Sequence, residues 1–247
     1  MKKKRVKKKN IGISGVDKIL RITGVCGILS ALFFILIKIL VYMPNMIVSS
    51  GVLMISKIII NILLIIFLYG FFILGRKYDN KLLRSISLIF IIVVLVVLLM
   101  NLFLIEDMNA GLNSKIGNMS INYEGVTEAQ VEDIFVEIFP LITPLLLLGL
   151  SGIFIYSILI MIFGFGLKRL EDLIKFSKAA GILKIVTGGL LLFSFILFIV
   201  SFSLIFSPSY INFAGILSLV GLGAIALGMI TGLVAFVLEI MILLNEF

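Results

Sequence analysis

The chain has 247 residues, of which 62% are hydrophobic and only 14% are charged, and its mean hydropathy is +1.30. A water-soluble domain carries roughly a quarter charged residues, so this composition excludes a soluble fold and indicates a membrane protein. The formal net charge is +8 and there is no histidine. Without an imidazole, catalysis by Ser-His or Cys-His pairs, His-ligated metal or haem and His proton relays are all excluded.

Six apolar runs are each long enough to cross a bilayer as a helix, which takes about 20 residues. None shows the alternating polarity of membrane β-strands. The sequence predicts an all-α membrane protein with a basic tail over 1–18 and a single six-helix membrane domain over 19–247. The predicted spans are 19–43, 52–75, 86–105, 139–167, 179–207 and 213–240.

Basic residues collect in alternate connections. Most of the 21 Lys and Arg lie in the N-terminal segment, in the connection over 76–84 and in the connection over 168–184, whereas the acidic 106–138 loop holds one, Lys115. Lys and Arg in short loops mark the cytoplasmic side. We therefore expect a cell-membrane protein with the N-terminus and the C-terminus both cytoplasmic and the 106–138 loop outside.

The tail begins MKKKRVKKKN. Its charges favour the anionic lipids of the inner leaflet, at roughly 1 kcal/mol for each basic residue near the surface. An arm that binds nucleic acid normally accompanies stacking aromatics or base-reading groups on a folded domain, and none is present. Lipid is therefore the expected partner of the tail, and nucleic acid is not.

The outer loop contains two local signals. Asn118 begins the sequon NMS, which faces outward in this topology and is a candidate for glycosylation. Thr127 and Gln130 form a capping box, and the apolar residues that follow recur at helical spacing up to position 138. We expect an amphipathic helix on the outer surface, whose acidic residues form a solvated face rather than a metal site.

Small residues recur at four-residue spacing on two spans. The first span carries Gly27 and Ala31, and the sixth carries Ala224, Gly228 and Gly232. Small residues at this spacing let helix backbones approach closely, which is a main attraction between helices in lipid. Packing within the bundle and a homodimer face are the two interpretations of these stripes.

Polar residues inside the spans form a second set of candidates. In the outer half, a polar pocket open to the outside is one hypothesis; the alternative is that the lysines reach to the headgroups and the asparagines bridge helices. The pocket candidates are Lys38, Lys57, Asn61, Asn101, Glu106 and Asp107. Near the inner end, Glu239 is expected to pair with Lys18, Arg21, Arg84 or Lys184.

Two stretches suggest a relationship to known sequences. FILGRKYDNKLLR over 72–84 aligns without gaps with FGFGLKRLEDLIK over 163–175, which indicates a parallel repeat of two hairpins. FLYGFFILGRKYDNKLL and an entry of the pattern Phe-x-x-Ala-Gly-x-Leu resemble uncharacterised archaeal multi-pass membrane proteins that form a domain-of-unknown-function family. FSKAAGIL over 176–183 fits this pattern with one extra residue. The resemblance implies a multi-pass fold but no activity and no site residues.

The sequence carries no catalytic set and no P-loop motif. We therefore expect no enzyme, no cofactor and no metal. The first hypothesis is a non-enzymatic scaffold or partner subunit that acts through contacts with another membrane protein or with a second copy. The alternative is a carrier or channel for a small solute that uses the outer polar pocket.

Overall fold

A computed structural model describes residues 13–42, 50–103, 149–205 and 210–245. Within these ranges the chain forms six helices that are long and apolar enough to cross a membrane, so the predicted all-α architecture is confirmed. The N-terminal tail, the 106–138 loop with its expected surface helix, and Asn118 lie outside the described residues. The helices are α1 Ile13–Tyr42, α2 Ser50–Lys77, α3 Lys81–Phe103, α4 Gly149–Lys168, α5 Ser177–Ile205 and α6 Ile211–Asn245.

Three helices extend five or more residues beyond the spans predicted from hydropathy. α1 begins at Ile13 rather than near residue 19, α3 begins at Lys81 rather than near residue 86, and α6 continues to Asn245 rather than ending near residue 240. Hydropathy detects only the apolar length that crosses hydrocarbon, whereas the helical backbone continues as long as its polar side chains are satisfied. Asp17 in the first turns of α1 accepts a hydrogen bond from Lys77 Nζ at the end of α2, at 3.2 Å.

The helices form a closed ring of antiparallel neighbours in chain order. Each helix packs on the next, and α6 packs on α1 to complete the circuit. We call the end at which α1, α3 and α5 begin and α2, α4 and α6 end the basic end, since the two described connections there are rich in Lys and Arg. Facing pairs around the ring are Thr23–Gly70, Gly75–Arg84, Leu83–Gly166, Gly164–Gly181, Thr187–Thr231 and Leu243–Gly24.

A three-residue turn joins α2 to α3 and fixes the start of α3. Asn80 N–H donates to Gly75 O at 2.8 Å and Asp79 N–H to Arg76 O at 3.4 Å, with Asp79 at φ 51°, which is the Schellman ending of a helix. Asn80 then caps α3, because its Oδ1 accepts the Leu83 N–H at 3.1 Å. The same residue therefore closes one helix and opens the next.

The connection from α4 to α5 is longer and departs from the proposed repeat. In the gapless alignment Lys77 matches Lys168, and both residues are the last of their helices. The correspondence ends there, since α3 begins after a three-residue turn whereas α5 begins at Ser177, after turns that end on Phe176 at φ 70°. The alignment holds for the two helix ends and fails for the connections.

α4 and α5 cross at two glycines. A Cβ placed on Gly164 would lie 2.6 Å from Gly181 O, and a Cβ placed on Gly181 would lie 2.7 Å from Gly164 O. Backbone oxygens cannot rotate away as a side-chain end can, so the crossing requires both glycines. Close backbone approach at small residues is the usual packing mode of helices in lipid.

We predict that Gly164→Ala lowers the free energy of unfolding by about 1–3 kcal/mol, because the added methyl group forces α4 and α5 apart. Gly189→Ala on α5 is the matched control, since nothing lies within 4 Å of a Cβ at that position, and it should cause no loss. Unfolding titrations with a denaturing detergent in mixed micelles measure both. Equal stability of the two variants would contradict the described crossing.

Candidate functional site

Phenylalanine rings fill the centre of the ring at the basic end. Phe71 of α2 contacts Phe163 of α4 edge-to-face at 5.2 Å between centroids, and Phe67 contacts Phe71 at 5.3 Å. Phe67 also contacts Phe236 of α6 at 5.0 Å, and Phe163 also contacts Phe90 of α3 at 5.7 Å. Edge-to-face pairs add about 0.5–1.5 kcal/mol each beyond the area they bury. The cluster therefore ties four helices together toward the basic end of the bundle.

Lys184 of α5 and Glu239 of α6 form an ion pair beside this cluster. Lys184 Nζ lies 3.0 Å from Glu239 Oε1, and Glu239 is only 2% exposed. Oε1 meets the ammonium group as an ion pair rather than as an aligned hydrogen bond. The ammonium group also lies 5.9 Å from the centroid of the Phe163 ring. Four candidate partners for Glu239 follow from the sequence, and the structure shows that Lys184 is the one in contact with it.

The position of the pair along the helices explains why two charges are tolerated. Lys184 is seven residues after Ser177, the first residue of α5, which places it about 10 Å into the helix from the basic end. An isolated charge at that depth is costly, and only a buried partner of opposite sign compensates for its lost hydration. The Glu239 side chain is 3% exposed and that of Lys184 is 14% exposed, so the pair is largely withdrawn from solvent and holds α5 and α6 together.

Hydroxyl groups extend the α5–α6 contact toward the opposite end. Thr187 Oγ1 and Thr231 Oγ1 are 2.9 Å apart, and Ser201 Oγ is 2.6 Å from Ser218 Oγ while it donates to Ala214 O at 2.7 Å. Each such bond satisfies a polar group that lipid cannot hydrate. With the ion pair, these bonds join the two helices at three levels along their length.

The candidates for the outer polar pocket lie as follows. Lys38 and Lys57 are exposed, and Lys38 Nζ lies 5.6 Å from the centroid of the Phe34 ring on its own helix. The Asn61 amide donates to Lys57 O at 2.8 Å, one turn earlier in α2. The Asn101 side chain, Glu106 and Asp107 lie outside the described residues. The shared pocket therefore stays a prediction.

The small-residue stripes face neighbouring helices of the same chain. A Cβ on Gly27 would meet the Phe67 ring at 2.5 Å and Ile240 at 3.2 Å, so this glycine lies between α1, α2 and α6. Gly232 faces Thr187 at 3.3 Å and Gly228 faces Leu190 at 3.6 Å, both on α5. Ala224 is buried on the same helix, and Ala31 is half-buried. These contacts are of the kind expected for packing within the bundle.

Two features of the site were not visible in the sequence. The phenylalanine cluster has no periodic signal that separates its members from the other Phe of the chain, whose total is 21. In the sequence, Asn80 looks like any polar residue of a turn. In the structure it is 8% exposed, and its Nδ2 donates a hydrogen bond to Gly166 O of α4 at 2.8 Å. An asparagine between a helix end and a helix start was the only available signal for a cap.

Metal-ligand chemistry and known relatives add nothing further to the site. Among the described residues, no three His, Cys, Asp or Glu side chains lie together as a metal would require. Comparisons with protein-family models, curated proteins and solved structures gave no match. Functional inference therefore depends on the geometry of this chain.

We predict that Lys184→Met lowers the free energy of unfolding by about 3–5 kcal/mol, because it leaves Glu239 buried without its counter-charge. The double variant Lys184→Met/Glu239→Leu should recover most of this loss, since no charge then remains in the interior. The readout is detergent-induced unfolding of the full chain.

The control for this cycle is Lys178→Met. Lys178 pairs with Glu171 at 3.3 Å on the exposed surface, so its replacement should cost less than about 1 kcal/mol. A double variant as unstable as Lys184→Met alone would show that the pair does not account for the stability of this region.

Proposed function

We propose that the chain is a non-enzymatic scaffold or partner subunit of the cell membrane, with both termini in the cytoplasm, that acts by binding another membrane component. The observation that carries this proposal is the filled centre of the ring. Phe67, Phe71 and Leu243, which lie toward the basic end of their helices, are at most 1% exposed. A bundle whose centre is packed in this way at the basic end supports a fixed binding surface better than a continuous route for a solute.

The polar groups of the interior support the same proposal. A carrier holds its substrate with groups inside the membrane that are open to water in at least one state. Lys184 and Glu239 are instead paired with each other, and Thr187 and Ser201 bond to α6. These side chains bind α5 to α6 and leave no described polar group for a substrate among them, as expected for a scaffold with a fixed surface.

Lateral contact is the mode of binding open to such a platform. In lipid, helices associate through close packing and hydrogen bonds rather than through apolar burial. Because Gly228 and Gly232 are already covered by α5, a partner would contact other surfaces of the chain. The N-terminal tail would add attraction to an anionic leaflet.

Cysteine accessibility tests this proposal against transport. In a Cys26→Ser background, Ser157→Cys and Ser194→Cys place near-isosteric thiols at buried positions of α4 and α5. We predict that a membrane-impermeant thiol reagent labels neither one in sealed vesicles of either orientation, because the interior is dry. Lys81→Cys, at an exposed position of the basic end, is the positive control.

Labelling of Ser157→Cys or Ser194→Cys at a rate comparable with that of the control would overturn the proposal and favour the carrier. Cross-linking in native membrane supplies the second arm. A scaffold should give one recurrent cross-linked species of defined mass, whereas a chain that remains monomeric under all conditions would contradict a binding role.

A further inference from the structure

The basic end contains an open cleft between two connections. It lies between the α2–α3 turn and the segment that follows α4, and its volume is about 340 Å³. The side chains that line it include Tyr78, Asp79, Lys81, Arg169, Leu170 and Leu173.

The two walls of the cleft are held at a fixed separation by Asn80. Its Oδ1 caps α3 at Leu83, and its Nδ2 donates to Gly166 O of α4. Leu170 on the opposite wall is 2% exposed, and its N–H donates to Leu167 O at 2.9 Å. A ligand therefore meets a preformed site, so little of its binding free energy is lost in ordering the protein.

The cleft presents positive charge from both walls. Lys81 comes from the first residue of α3 and Arg169 from the opposite connection. Within the described ranges neither side chain forms an ion pair. The N–H groups of the first turn of α3 add the positive end of its helix dipole. Asp79 is the one acid among the described lining residues, so the net charge of the described lining is positive.

One edge of the cleft is apolar. Leu173 lines it and is 55% exposed. The cleft lies at the ends of helices that are long and apolar enough to cross a membrane, so we expect lipid headgroups at its level. A cationic interior beside an exposed leucine therefore matches a molecule with an anionic head and an apolar body.

We propose that this cleft binds the phosphate group of an anionic phospholipid, with Arg169 and Lys81 on the phosphate oxygens and the glycerol and first acyl carbons against Leu173. Basic pockets between membrane helices are established sites for anionic headgroups, and the guanidinium fork suits a phosphate better than a point charge does. None of the named lining residues belongs to the N-terminal tail, and the proposal does not depend on the scaffold role.

Binding of phosphatidylglycerol to the purified full chain tests this proposal, with native mass spectrometry in a neutral detergent as the readout. Lys81→Gln/Arg169→Gln should weaken retention more than about tenfold, since two charge-assisted contacts are lost. Arg76→Gln/Lys175→Gln removes the same charge from exposed positions outside the cleft. This control should lose less than about threefold, because exposed charges are screened by salt.

Equal losses in the two double variants would overturn the proposal in favour of diffuse attraction to the basic end. Asp79→Asn provides an arm of opposite sign. Asparagine tolerates the positive φ of this position, so removal of the carboxylate should tighten retention of the lipid. Unchanged or weaker retention in this variant would also count against a phosphate beside Asp79.

The last arm separates a lipid from a free phosphate. Inorganic phosphate and phosphatidylcholine are added in turn as competitors for bound phosphatidylglycerol. A lipid site predicts that neither one displaces it at equal concentration, because inorganic phosphate lacks the apolar body and phosphatidylcholine lacks the net charge. Displacement by inorganic phosphate alone would assign the cleft to a soluble phosphate and overturn the lipid version.

Discussion

Contact between the first and last helices is the constraint on which the rest of the structure depends. α6 packs on α1 where Leu243 faces Gly24 and Ile240 faces Gly27, and this contact converts a linear series of hairpins into a ring. A ring encloses a centre. At the basic end this centre holds the phenylalanine cluster, with the Lys184–Glu239 pair beside it.

Burial is uneven along the helices. α1 and α3 begin at the basic end, and their last described buried residues are Ser30 and Phe90. α2 and α4 end at the basic end, and their first described buried residues are Phe67 and Ser157. In all four helices the buried part therefore lies nearest the basic end. Among the described residues, only α5 and α6 have buried side chains along their whole length. Within the same described ranges, the basic end is thus the more densely packed end of the bundle, and it presents the cleft and the charged connections.

Hydropathy and spacing predicted the architecture because lipid imposes a minimum apolar length on every span. They also predicted that Glu239 would need a cation, since a lone carboxylate in hydrocarbon is costly. The sequence did not show which of four cations pairs with Glu239, and it did not show that Asn80 bonds to α4. Both contacts depend on which helices become neighbours. Contacts between distant segments carry no local sequence signal, and the gapless repeat failed at the connections for the same reason.

Disulfide cross-linking of α1 to α6 tests the closed ring most directly. A Cβ on Gly24 lies 3.3 Å from the Leu243 Cβ, close to the separation of about 3.5–4.5 Å that a disulfide spans. In a Cys26→Ser background, Gly24→Cys/Leu243→Cys should oxidise readily in the membrane and lose both reactive thiols. Gly24→Cys/Leu233→Cys, with the second thiol at a lipid-exposed position, should keep them. Equal oxidation of the two pairs, or none in either, would contradict ring closure.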